Sequence, residues 1–176
     1  MEKPIKIDGS YNEGGGQILR TAAGLSVLTG KPFQISSIRA GRPNPGLQAQ
    51  HLASIQAAAE FCGGRLEGAD IGSTELAFSP GSESKDHLEI NVGTAGSVAL
   101  VLQSLMIPLS VAGHKTHLDI VGGTHVAWSP TTGYFRHVFC EQMKAMGLSV
   151  KSETPEYGYF PKGSGRIMVD VVPTRR

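Results

Sequence analysis

The sequence has 176 residues, of which 40% are hydrophobic and 18% are charged, and its formal net charge is +1. This composition supplies enough apolar mass for one domain or two small ones and excludes a disordered chain. The near balance of charges argues against a protein that binds nucleic acid or membrane surfaces through bulk charge. No apolar run reaches the ~18 residues of a membrane span, and two cysteines are too few for a disulfide scaffold, so we expect a reduced, cytoplasmic protein.

The first half of the chain predicts a βαβαββ order of elements. Alternating apolar residues and helical spacing predict strands at 4–8, 33–38, 65–67 and 75–79 and helices at 18–28 and 45–62. Asn44 and Pro45 are residue types favoured at the N-cap and the first position of a helix, so the second helix is expected to begin there. Gly63 is expected to end it.

The second half has the same predicted order. Its predicted strands are 87–92, 117–121, 148–151 and 166–172, and its helices run from the 93–97 turn to about 112 and from 132 to 146. The halves align at a spacing of about 80, with Gly64 opposite Gly147, which indicates an internal repeat. We therefore predict the α/β (α+β) class, with two βαβαββ units at 1–82 and 83–176. Each unit is expected to be a small sheet with two helices packed on one face.

The strongest local motif is the glycine-rich turn from Glu13 to Gln17 at the start of a helix. Glycines let backbone N–H groups approach a ligand, and a helix N-terminus favours an anion such as phosphate. Glu13 could hold a divalent cation there, and Gln17 and Arg20 project from one side of the helix. The spacing matches neither a Walker loop nor GxGxxG. A flexible turn with a solvated glutamate is the alternative interpretation.

A second cluster follows the next predicted strand. Arg39 and Arg42 lie on its loop, and Gln50 and His51 lie early in the following helix. Two guanidinium groups suit phosphate oxygens, and both loops leave the same sheet edge, so the two clusters are expected to meet. His51 could equally be a hydrogen-bonded histidine of the helix. The small-residue turn at 93–97, with Gln103 two helical turns later, is a third candidate, although glycines there also suit helix packing.

These motifs resemble those of the RNA 3'-terminal phosphate cyclase family. The resemblance is carried by EGGGQILR, SIRAGRPNPGLQAQH, GTAGS with Gln103, GGT and GYFPKGSG, and it extends from Ile5 to about Pro173. It implies three βαβαββ repeats with a small insert, and an ATP-dependent enzyme that converts an RNA 3'-phosphate to a 2',3'-cyclic phosphate. In that family a histidine forms a covalent adenylate, AMP passes to the RNA phosphate, and the 2'-hydroxyl closes the ring.

The resemblance also implies roles for individual residues. Glu13 is expected to hold Mg²⁺ or Mn²⁺ at the ATP site. Nucleotide or phosphate contacts are expected from Gln17, Arg20, Arg39, Arg42, Gln50, His51 and Gln103, with Pro130 near the adenine. The family's nucleophilic histidine lies in a later motif that no histidine here matches, so we expect it C-terminal to Arg176 and predict no catalytic residue in this chain.

Two other classes of function remain open at this point. One is a non-catalytic cyclase-like scaffold in RNA or ribosome processing, and the other is an enzyme similar to the enolpyruvyl transferases, which contain comparable repeats. The expected partners are ATP and an RNA 3' end, with no membrane. A missing C-terminal half, or self-association, is expected to cover apolar surface on these units.

Overall fold

The computed structural model describes residues 3–173, which form two four-stranded sheets and the helices between their strands. The first unit contains β1 (Ile5–Asp8), α1 (Gly16–Thr29), β2 (Phe33–Ser36), α2 (Ala49–Cys62), β3 (Arg65–Glu67) and β4 (Leu76–Ser79). The second contains β5 (His87–Asn91), α3 (Val98–Leu109), β6 (Thr116–Gly122), α4 (Thr132–Tyr134), a π-helical segment (Phe135–Phe139), α5 (Cys140–Ala145), β7 (Ser149–Glu156) and β8 (Gly165–Val172). The predicted α/β (α+β) class with repeated units is confirmed.

The two sheets share one topology. Their strand orders are β1-β2-β4-β3 and β5-β6-β8-β7. In each sheet the first two strands run parallel, and the remaining neighbours pair antiparallel. A parallel pair needs a crossover connection, and α1 and α3 supply it in the two units.

The helices of the two units pack against one another. Helix α3 contacts both α1 and α2, and α2 also contacts β5. Their buried side chains belong to one continuous apolar cluster that includes Leu19, Ile55 and Leu102. Side chains of β8 alternate between buried and partly exposed, so one sheet face joins the core and the other is polar. Among residues 3–173 no helix is long and apolar enough to cross a membrane.

The predicted start of the second helix is wrong. Helix α2 begins at Ala49, after Gln48, and Asn44 and Pro45 lie in the preceding loop. Gly46 has a φ of 75° and donates to the carbonyl of Ile38 at 2.8 Å, while the next residue is fully buried. The Asn-Pro pair therefore belongs to a compact loop. The apolar residue at the end of this loop is buried in the core, and the helix begins only after it.

The second unit departs from prediction in three details. Helix α3 ends at Leu109, before the expected residue 112. The helical region from 132 is continuous, but its middle turn, Phe135–Phe139, is π-helical. Strand β7 continues to Glu156 instead of ending near Lys151. The first and third differences alter an element's length and the second alters the type of helix, but the order of elements is unchanged.

Candidate anion-binding site

The glycine-rich turn places the N-terminus of α1 at an open cleft. Gly14 has a φ of 53° and donates to the carbonyl of Tyr11 at 3.0 Å, which closes the turn. Gly15 is the N-cap, and no side chain caps the helix. The first backbone N–H groups of a helix lack partners within it and carry partial positive charge. This end of α1 is therefore suited to an anion.

The absence of a side chain at Gly16 lets His51 approach the start of α1. A Cβ atom on Gly16 would overlap the Nε2 and Cδ2 atoms of His51 and would lie 3.1 Å from Arg20 Nη1. His51 is only 4% exposed. The glycine thus permits a close contact between the histidine of one helix and the N-terminus of another.

The protonation state of His51 follows from its contacts. Its Nδ1 accepts a hydrogen bond of 3.2 Å from the backbone N–H of Gln48, so the proton of the neutral ring is on Nε2. Burial, followed by the charges of Arg39 and Arg20, lowers the pKa of His51 to about 4. The ring is therefore neutral near pH 7 and presents an N–H donor at the anion site. The two interpretations of this histidine are compatible, because one nitrogen caps α2 while the other stays available.

Arg20 is a buried cation that has no acidic partner among residues 3–173. Its side chain is 8% exposed in total, and burial lowers its pKa. Its Nε donates to Gln103 Oε1 at 3.3 Å, and within residues 3–173 no carboxylate lies within 4.0 Å of its guanidinium. A buried charge is costly unless an opposite charge compensates it. An anion in the cleft would provide that compensation.

Arg39 and Arg42 contribute differently. Arg39 Nη1 donates to the carbonyls of Asn44 at 2.6 Å and Gly46 at 2.9 Å, so it holds the loop before α2 in shape. Burial, and then the charge of Arg42, lower the pKa of Arg39. Arg42 Nη2 lies 3.6 Å from Glu13 Oε2, and that glutamate side chain is 92% exposed. This ion pair is open to solvent and can rearrange around a ligand.

Most of the sequence-predicted site residues share this cleft, which has a volume of about 1310 Å³. Its lining includes Glu13, Gln17, Arg20, Arg39, Arg42, Gln50 and His51. Gln103 reaches Arg20 but lines a neighbouring apolar cavity, and Pro130 lines neither. The Oε1 atom of Gln50 accepts from the Ser97 N–H at 3.0 Å, so part of its amide joins α2 to the start of α3.

The cleft also contains residues that the sequence patterns did not single out. Tyr11, Asn12 and Leu100 lie in its lining. Tyr11 and Asn12 precede the glycine-rich turn directly, which is the one signal that could have identified them. Leu100 has no such signal, because it reaches the cleft only through the packing of α3 on α1.

A divalent cation in this cleft would need ligands besides the protein's own side chains. No group of three or more His, Cys, Asp or Glu side chains suited to a metal ion exists within the described part of the chain, residues 3–173. Mg²⁺ is often held by one or two carboxylates together with substrate phosphates and water. Glu13 provides one such carboxylate at the mouth of the cleft.

The fold and site define a repeated α/β protein with a basic cleft at a helix N-terminus, suited to a phosphorylated ligand. The sequence profile of the RNA 3'-terminal phosphate cyclase family matches residues 11–176. The chain is 47% identical over 169 residues to a protein of Archaeoglobus fulgidus named RNA 3'-terminal phosphate cyclase, covering 96% of this chain and 52% of that protein. A protein of the same name from Caldivirga maquilingensis is 49% identical over 173 residues, covering 98% of this chain and 49% of the relative.

The chain therefore belongs to the RNA 3'-terminal phosphate cyclase family. It spans about half the length of the curated relatives it matches.

Proposed function

We propose that this chain provides the nucleotide- and phosphate-binding part of an enzyme that converts an RNA 3'-phosphate to a 2',3'-cyclic phosphate through adenylylated intermediates, at the expense of ATP. The observation that carries the proposal is the buried guanidinium of Arg20, which no carboxylate of residues 3–173 compensates, beside the neutral His51. Family membership supports the substrate class. No histidine of this chain matches the family's nucleophile motif, so we place the nucleophile beyond Arg176, and a cytoplasmic location remains our expectation.

The residues of the cleft have complementary tasks in this proposal. The N–H groups at the start of α1, the Nε2–H of His51 and the guanidinium of Arg20 bind phosphate oxygens. Arg42 adds charge at the entrance, and Arg39 keeps its loop in place. Phosphoryl and adenylyl transfer depend on positioning and charge neutralisation. Mg²⁺ or Mn²⁺ held at Glu13 would neutralise further phosphate charge.

ATP binding tests the proposal directly. Calorimetric titration with ATP and Mg²⁺ is performed on the unaltered chain, Arg20→Gln and Arg42→Ala, with Arg65→Ala as control because Arg65 is exposed and remote from the cleft lining. A hydrogen bond involving a charged group contributes about 1.5–3 kcal/mol, so Arg20→Gln should weaken ATP binding by about tenfold or more. Equal affinity in Arg20→Gln and the unaltered chain would contradict the assignment.

Covalent chemistry is tested separately. The chain is incubated with ATP and its intact mass is measured. We expect no AMP adduct, because the nucleophile is proposed to lie outside this chain. An adduct would show that a residue of this chain reacts with ATP, and the proposal that the nucleophile lies outside the chain would be abandoned.

A neighbouring cavity supports the expectation that further protein packs on these units. It has a volume of about 1230 Å³ and is lined largely by apolar side chains of α1, α3 and α5, including Leu28, Met106 and Met143. Such apolar surface is typical of protein contacts. A missing C-terminal half and a second copy remain the two proposed partners, and sedimentation of the chain separates them: a monomer favours the first and a dimer favours the second.

A further inference from the structure

Exposed aromatic side chains surround a second pocket, which is continuous with the anion-binding cleft. This pocket has a volume of about 520 Å³, and Trp128 and Phe160 are part of its lining. Trp128 is 99% exposed and Phe160 is 81% exposed. Gln50, Leu100 and Trp128 line both the pocket and the cleft. A ligand held in the cleft can therefore extend into the pocket without leaving the protein surface.

Hydrogen bonds hold the backbone segment that contains Phe160. The buried Thr124 accepts from the N–H of Gly158 through its hydroxyl at 2.9 Å and donates its own N–H to the Gly158 carbonyl at 3.0 Å. The N–H of Gly163 donates to the carbonyl of Tyr159 at 2.8 Å, which closes the turn that contains Phe160. The large apolar side chain of Phe160 is thus exposed to solvent from a hydrogen-bonded turn, as expected of a binding surface.

The aromatic surface extends beyond the pocket. The ring of His125 contacts those of Tyr157, at a centroid distance of 5.1 Å, and Tyr159, at 5.7 Å. Tyr157 is 63% exposed and Tyr159 is 58% exposed. Within the described residues 3–173, no carboxylate is part of the pocket lining. The surface therefore combines several exposed ring faces with an absence of negative charge at the pocket.

We propose that this aromatic pocket stacks the unpaired bases at the 3' end of an RNA whose terminal phosphate lies in the cleft. This inference rests on the proposed function. Proteins recognise single-stranded nucleic acid by stacking bases on aromatic side chains, and such stacking tolerates different bases. The adenine of ATP is the competing occupant. A single adenine needs one stacking partner, whereas Trp128, Tyr157, Tyr159 and Phe160 provide four exposed aromatic side chains on these two segments, which suits successive nucleotides.

The test compares RNA and ATP binding by variants of the full chain. A short 5'-labelled single-stranded RNA with a 3'-phosphate is titrated with the unaltered chain, Trp128→Ala and Phe160→Ala, and ATP with Mg²⁺ is titrated in parallel. Tyr134→Ala is the matched control, because Tyr134 is also exposed but lines neither cavity. Each pocket variant should lose about tenfold in RNA affinity. ATP affinity should stay within about twofold in Phe160→Ala, because Phe160 lines the pocket and not the cleft, whereas Trp128 lines both. Trp128→Phe should recover most of the RNA affinity because it restores a ring.

The outcomes separate this inference from the proposed function. RNA affinity that is unchanged in both alanine variants would overturn the inference, and so would an equal loss of ATP affinity in Phe160→Ala, which would assign the pocket to adenine. If the unaltered chain binds neither ATP nor the 3'-phosphorylated RNA, the proposed function fails and the inference fails with it. If the unaltered chain binds both ligands, but Trp128→Ala and Phe160→Ala bind the RNA as tightly as Tyr134→Ala does, the inference alone is refuted.

Discussion

Replacing Gly16 with alanine tests whether the contact between α1 and His51 shapes the anion site. The new methyl group would overlap the imidazole, and the ring has no room to retreat because it is 4% exposed and is held by the Gln48 N–H. Overpacking of this kind costs about 1–3 kcal/mol, and loss of the hydrogen bond to Nδ1 costs about 0.5–1.5 kcal/mol. Alanine recovers up to about 1 kcal/mol through its better helix propensity.

The balance predicts that Gly16→Ala lowers the free energy of unfolding by about 1–3 kcal/mol. Urea denaturation at pH 7 measures this change, and ATP titration of the same variant should show weaker binding, because the displaced ring no longer presents Nε2 at the cleft. Gly133→Ala is the matched control. A Cβ there meets only Thr131 Oγ1 at 3.6 Å, so that variant should be as stable as the unaltered chain or more stable.

A different result would refute the reasoning. If Gly16→Ala gains stability like Gly133→Ala and binds ATP normally, His51 does not depend on the missing side chain. Destabilisation with normal ATP affinity would limit the contact to a structural role and would remove His51 from the proposed phosphate donors.

Three further predictions concern charged groups. Arg20→Met should leave the free energy of unfolding unchanged or raise it by up to about 1 kcal/mol, because an apolar side chain replaces a buried cation that no carboxylate of residues 3–173 compensates, while ATP affinity falls; a large loss of stability in urea would contradict this. The pKa of His51 falls from an ordinary 6.5 to about 4 on folding, so the unfolded chain binds more protons between these values and stability must fall as the pH drops. The loss should be about 2 kcal/mol between pH 7 and pH 5, and the difference between the chain and His51→Gln in urea titrations at both pH values isolates it. Arg166 donates to both oxygens of Asp119 across β6 and β8 and lowers the pKa of that carboxyl, so Asp119→Asn should cost about 0.5–1 kcal/mol at neutral pH, with no cost in acid, where the carboxyl is already protonated.

The order of elements was predictable from the sequence because nearby residues that favour turns or helix ends mark the limits of each element. Gly63 and Gly147 end their helices with φ values of 64° and 89°, as their positions predicted. Apolar alternation located the strands in both units. The start of α2 was not predictable, because Asn44 and Pro45 resemble a helix start and the competing factor is tertiary. The residue after Gly46 is drawn into the core by its pairing with Ser73, which lies far along the chain.

It was predictable in outline which residues share the cleft, but the contacts of each side chain were not. Adjacent loops at one sheet edge brought Glu13, Arg20 and His51 together as expected. The contact that each side chain makes depends on its hydrogen-bond partners, and the spacing of residues in the sequence does not reveal these partners. Arg39 holds carbonyls of its own loop, and Gln50 binds a backbone N–H of the other unit.

The cleft is a property of the two units together. Arg20, on α1 of the first unit, is oriented by Gln103 on α3 of the second. Gln50, on α2, accepts from Ser97, whose hydroxyl in turn caps α3 by accepting from the Leu100 N–H at 3.3 Å. Both links cross the packed helix faces, so separating the units would release the guanidinium and the helix that supports it. A cation that is costly to bury can remain buried here because apolar packing between the units holds it in place, and the phosphate that compensates it can come from the ligand.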